Sequence, residues 1–301
     1  MMVDASKMAA VVTQPFFAKS PDTMERALRE ILELPIGLAV LVHDRKSSAR
    51  GYAFDAFREY CPRFEVEGKS LSMLEVDVFD TAVRWRPGVV EALKGPEVGS
   101  VFLFPGDMKV KDEGEPITTL RAGWRKMVEA AGPTSLIIGQ YESRDRFKTE
   151  FDSLIAHRAV EILFDGLAEG LGALALTMMR SEFLVVGREV FEHFDTGLRH
   201  FWGPDPTPQL LLSTLTHREM RVEQVWLGEF ADDPGTRSAL GQMHQIFRFI
   251  AELAIDRMVR DKADTRTVTE EIETYDRTRA DIEVLFQETL RALDENRQAL
   301  V

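Results

Sequence analysis

Short continuous apolar runs alternate with stretches of three- and four-residue apolar spacing along the first half of this chain. Ser20 and Pro21 read as an N-cap followed by a proline at the first helical position, and Met24, Ala27, Leu28, Ile31 and Leu32 share one face. This predicts a helix over 20–34 that ends before Pro35. The run Ile36 to Val42 that follows has the composition of a strand buried on both faces, and the polar loop His43 to Gly51 ends it before a short helix, Ala53 to Tyr60. Leu71 to Phe79, Val98 to Phe104 and Ser135 to Ile138 are further strands, each bounded by glycine, proline or charge. A helix from Thr118 to Ala131, stopped by Gly132 and Pro133, separates the last two and reads as a crossover that makes them a parallel pair. Four strands predict one small mixed sheet.

The texture changes after Arg144. Residues 146–201 follow helical spacing, interrupted by Gly166, Gly170 and Gly172, and a loop, Gly203 to Pro208, closes the segment. Leu210 to Leu215 and Arg221 to Leu227 fit either short strands or helix. Beyond Gly241 sixty residues contain neither glycine nor proline, which agrees with long helices because both residues are penalised in helix interiors. Thr267 and Glu270 form a capping box, and Val268, Ile272, Tyr275, Arg279, Ile282, Phe286, Thr289, Leu293, Asn296 and Leu300 lie along one seam. A helix of about 32 residues is roughly 48 Å long. It packs either on the stripe Leu240, Met243, Phe247, Ile250, Leu253 and Met258 of the preceding helix or on another subunit or partner, with Ile272, Ile282, Phe286 and Leu293 as the interface. The expected fold is therefore α+β: a sheet region over 20–143 and a largely helical region over 144–301 that ends in a hairpin, 237–301.

Composition narrows the class. With 301 residues, 45% hydrophobic and 29% charged, the chain is long enough to bury a sizeable core as one large domain or two ordinary ones. A net charge of −13 argues against general affinity for nucleic acid or anionic membrane. The single cysteine, Cys61, forms no intrachain disulfide and reads as buried or inert, so the expected compartment is the cytoplasm. Met8 to Val12 is too short an apolar stretch for a secretory signal. Leu171 to Met179 falls well below the roughly 20 residues of a spanning helix, so no membrane insertion is expected.

Candidate chemistry is sparse. Glu189, His193 and His200 share a helix face, and His157 with Glu161 has the same four-residue relation, so two facing helices would gather imidazoles and carboxylates around a divalent metal. The Glu-x-x-His spacing of helical carboxylate metal proteins is missing from both. Arg45, Lys46 and Arg50 follow a buried strand and precede a helix, an arrangement suited to an anion. The glycines of a Walker loop are absent. The tryptophans Trp85, Trp124, Trp202 and Trp226 read as core. The segment Leu74 to Thr81, with Asp77 and Thr81 four residues apart, resembles the first motif of haloacid-dehalogenase-like hydrolases, and Val225 to Asp233 resembles their acidic metal-binding motif. That resemblance implies Asp77 as a nucleophile at a strand end, although Phe79 stands where most of the family's phosphatases carry the general acid and Glu229 replaces an aspartate. The leading expectation is a non-catalytic oligomerising or partner-binding protein acting through a coiled-coil-like terminal helix, with self or another protein as partner. The alternatives are a metal-dependent enzyme built on the His/Glu cluster and a hydrolase centred on Asp77.

Overall fold

The structure is a computed structural model that describes residues 7–13, 22–47, 50–77, 81–106, 117–143, 181, 183–197, 210, 214, 219–230, 284 and 291. The chain divides into two compact units: 1–145 with 180–234, and 146–179 with 235–301. The first unit is thus discontinuous in sequence, the chain leaving it after Asp145 and returning at Arg180.

Its centre is a seven-stranded sheet, not the small four-stranded one expected. In chain order the described elements are β1 (Met8–Thr13), α1 (Asp22–Leu32), β2 (Leu38–Asp44), α2 (Arg50–Val66), β3 (Ser70–Val76), α3 (Thr81–Ala92), β4 (Ser100–Pro105), α4 (Ile117–Ala130), β5 (Ser135–Ser143), β6 (Leu184–Gly187), α5 (Arg188–Gly197) and β7 (Arg221–Phe230). The strand order is β3-β2-β1-β4-β6-β5-β7. Only β6 runs against its neighbours, β4 and β5; the other pairs are parallel. Every residue of β1, β4 and β6 is buried, because helices cover both faces of a parallel sheet and leave no solvated side to write an alternating pattern.

The helices fix those faces. Met24, Ala27, Leu28 and Ile31 of α1 are fully buried, in agreement with the predicted apolar face. Val42 packs against α3, where a Cβ on Gly88 would stand 2.7 Å from Val42 and 2.4 Å from Val11. The next residue, His43, packs instead against Phe54 of α2. Successive strand residues point to opposite faces, so α2 and α3 lie on opposite sides of the sheet. Glu30 of α1 is buried and accepts hydrogen bonds from Arg121 of α4 at Oε1 and Oε2, tying these two helices together.

The α+β expectation is therefore corrected to an α/β sheet. β1 carries only six residues, and its apolar run, taken alone, reads only as too short for a secretory signal; pairing with β2 and β4 makes it an interior strand of the parallel half. β6 is four residues long, too short to show a period, and interrupts a segment that otherwise reads as helix; α5 directly after it is helical as expected. β4 and β5, expected to pair, are kept apart by β6, although both run in the same direction. The undecided segment 221–227 is strand. Of the predicted terminal hairpin only Val284 and Arg291 are described; both are helical and exposed, and Ile272, Ile282, Phe286 and Leu293 lie outside the described residues.

Candidate functional site

Each β–α connection in a parallel sheet leaves the carboxyl ends of its strands on one edge, and ligands bind where neighbouring connections diverge. Here the chain steps from β1 outward to β2 and β3, then returns to place β4 on the other side of β1. The divergence lies between β1 and β4. Thr13 and Pro105 are register partners at its mouth, and the Gly106 N–H donates to the Thr13 carbonyl at 3.2 Å. A Cβ on Gly106 would stand 2.3 Å from that same oxygen, so only glycine permits this approach of the two strand ends.

Asp44 ends β2 one strand away. Its carboxyl group is buried; Oδ1 accepts the Lys46 N–H at 2.8 Å and its carbonyl accepts the Ser47 N–H at 3.1 Å, so the chain turns as soon as the strand stops. Oδ2 is buried and has no hydrogen-bond partner among the described residues. A carboxylate oxygen in that state is costly to hold, and in a folded protein it calls for a donor.

Around Asp44 the strand ends carry a charge network. Glu75 of β3, the register partner of His43, receives the Arg45 Nε–H at 2.9 Å on Oε1. Arg50 Nη2 lies 2.8 Å from Oε2, an ion pair at hydrogen-bond distance without hydrogen-bond alignment. The Arg50 guanidinium also lies over the Phe54 ring, 5.4 Å from its centroid. His43 is fully buried beneath this layer, edge-on to Phe54 at 5.1 Å, with Nε2 3.7 Å from Glu75 Oε2. Burial holds its pKa below the usual histidine value, and the Arg50 charge acts in the same direction against the opposing pull of Glu75 and Asp44. Lys46 pairs with Asp77 at 3.1 Å, both well exposed.

Arg45 and Arg50 thus pair with Glu75 and Lys46 with Asp77, and the loop begins later than the sequence suggested because His43 and Asp44 complete β2. Asp77 follows β3 at one edge of the sheet, whereas Glu229 and the chain leading to Asp232 and Asp233 belong to β7 at the other. Six strand spacings, about 29 Å, separate β3 from β7, and with them Asp77 from Glu229; Asp232 and Asp233 lie outside the described residues. Glu189 and His193 are both exposed on α5; His157, Glu161 and His200 lie outside the described residues. No group of three metal-ligating side chains converges among the described residues. Trp85 and Trp124 are buried, Trp226 is 55% exposed and corrects its reading as core, and Trp202 is not described. Cys61 is partly exposed, not buried, with Sγ 3.9 Å from Glu65 Oε1.

Asp44 and the β1–β4 mouth are what sequence reasoning missed. The available signal was the pair of apolar runs 8–12 and 38–42 flanking a capped helix, the pattern of a β-α-β unit whose second strand ends on an acid. Among the described residues no helix is long and apolar enough to cross a membrane.

No protein-family model and no curated protein sequence matches the chain. Solved structures do. The chain is similar to glucosyl-3-phosphoglycerate synthase from Mycobacterium tuberculosis in complex with phosphoglyceric acid, with a TM-score of 0.57 and 13% identity over 83% of this chain and 82% of that one. Mannosyl-3-phosphoglycerate synthase from Rubrobacter xylanophilus matches with a TM-score of 0.53 and 14% identity over 87% and 77%. A further structure of the mycobacterial synthase, in complex with Mn2+, uridine diphosphate and phosphoglyceric acid, gives 0.51 and 16% over 83% and 80%. These matches to synthases overturn the reading of the chain as a non-catalytic oligomerising protein, and they give its coiled-coil-like association role no support. With its seven-stranded, mostly parallel sheet, the chain shares its fold with these synthases.

Proposed function

We propose that this chain is an enzyme that transfers a glycosyl group from a nucleoside-diphosphate sugar to an acceptor hydroxyl, with the nucleotide held at the carboxyl ends of β1, β2 and β4. The observation that carries the reading is the buried, unpartnered Oδ2 of Asp44 beside the divergence of β1 and β4. An acceptor of this kind suits an imide N–H of a pyrimidine base or a ribose hydroxyl, either of which replaces the missing donor. The fold it shares with synthases solved with uridine diphosphate supports the choice of donor class.

A divalent cation at this edge of the sheet would draw on a carboxylate outside the described residues. Asp107 follows Gly106 directly, outside the described residues, and is the carboxylate that would hold it, with diphosphate oxygens and water completing the shell. When bound, such an ion would supply charge neutralisation for the diphosphate leaving group. The chain's own contribution is to orient the nucleoside at Asp44, beside strand ends that the Gly106–Thr13 contact holds close together.

Calorimetric titration with uridine diphosphate in the presence of Mn2+ tests the reading. The wild type should bind, and Asp44→Asn, which replaces half of the acceptor pair by an NH2 group, should weaken binding by about tenfold or more. Failure of the wild type to bind any nucleoside diphosphate would sink the proposal.

A further inference from the structure

The Glu75 network sits behind Asp44 and has a different task. We propose that Glu75 is a positioning residue for the nucleotide subsite: by holding Arg45 and Arg50 to the end of β3 it fixes the β2–α2 loop, and with it the Asp44 carboxylate. The inference rests on the nucleotide-sugar reading above and adds a residue that never touches the nucleotide. Three observations carry it. The loop leaves β2 through the turn closed on Asp44 Oδ1, so any shift of residues 45–47 turns the Asp44 carboxylate with it. Glu75 is the common ion-pair partner of two cations from the two ends of that loop, Arg45 at its start and Arg50 at the first residue of α2. Arg50 is further seated on Phe54, whose ring packs on His43, so Glu75 joins the loop to buried structure rather than to another mobile side chain.

The energetics separate this role from a structural one. Arg45 is 57% and Arg50 46% exposed, and partly exposed ion pairs contribute little to global stability. They still bias a local equilibrium. If the loop holds Asp44 in place for only a fraction of the time, apparent affinity falls by that fraction while the core is unaffected.

The test is titration of uridine diphosphate with Mn2+ into wild type, Glu75→Gln, Arg50→Gln and the double variant, with thermal denaturation alongside. Glu75→Gln should weaken binding about three- to tenfold with the midpoint of unfolding nearly unmoved. The double variant should bind no more weakly than Glu75→Gln, because Arg50 acts through Glu75. In turnover of a uridine-diphosphate sugar, the donor KM should rise by the same factor and kcat fall by less. Glu75→Asp keeps the charge but shortens the reach; it should fold where Glu75→Gln does not, and still weaken binding. Binding by a folded Glu75 variant as tight as wild type, or additive losses in the double variant, overturns the positioning role alone. A wild type that binds no nucleotide overturns both this and the reading beneath it.

Discussion

His43 shows how one residue can carry a pH signature without joining the chemistry. It is buried and its pKa is lowered below the ordinary 6.5, chiefly by burial. The unfolded chain therefore takes up a proton at a higher pH than the folded one does. Stability is complete above about pH 6.5 and falls as the pH drops from there towards the folded-state pKa, at no more than about 1.4 kcal/mol per pH unit for this single group. The groups acting on the ring are Glu75 from β3, Arg50 from α2 and Asp44 from its own strand. Urea denaturation at pH 7.5 and 5.5 should show a loss in the wild type that His43→Asn reduces; an identical loss in both proteins would assign the effect to other groups. Residue identities at this site were legible in the sequence, but their environment was not. Arg45, Lys46 and Arg50 stood out as a basic loop, whereas nothing in a string of letters says that Glu75, thirty residues beyond Arg45, lies 2.9 Å from it.

At the scale of elements, glycines separate local from tertiary constraint. Gly51 in the first turn of α2 has nothing within 4 Å of an added Cβ, while Gly88 in α3 lies against Val11 and Val42. Gly51→Ala should therefore stabilise the protein by about 0.4–1 kcal/mol, through helix propensity and a less flexible unfolded chain. Gly88→Ala should destabilise it by about 1–3 kcal/mol, since both neighbours are β-branched, stiff and fully buried. Equilibrium denaturation of the two variants checks both signs, and a stabilised Gly88→Ala would show that α3 does not approach the sheet this closely. Helices α1 and α4 were foreseen because their periodicity is local; α1 is buried along the predicted face. Helix α2 runs through Pro62 well past the expected end at Tyr60, because buried Tyr60 and Phe64 hold its second half on the domain. Tertiary packing outweighed a local helix-breaking signal there.

For the whole molecule, ligand linkage gives a test independent of any assay. If the nucleotide reading holds, uridine diphosphate with Mn2+ at a hundred times its Kd should stabilise the fold by about 2.7 kcal/mol, seen as a raised unfolding midpoint, and in Asp44→Asn, bound about tenfold more weakly, by about 1.4 kcal/mol or less at the same concentration. An unmoved wild-type midpoint would count against a nucleotide site in this domain. Composition and neighbours a few residues apart are enough to read strands β2, β3 and β4, the start of β5, helices α1 and α4 and the first part of α2, whereas α3 leaves no such local signal. Tertiary structure alone decided that Met8–Thr13 is the central parallel strand, that Leu184–Gly187 crosses between β4 and β5, and that Arg221–Phe230 closes the far edge. Those runs are too short or too ambiguous to declare a period, and their conformation is set by ladders to residues far away in the chain. Strand order then fixed the site: the carboxyl ends that place Thr13, Asp44 and Gly106 on one edge, and the opposite edges that keep Asp77 from Glu229, exist only once the sheet is assembled.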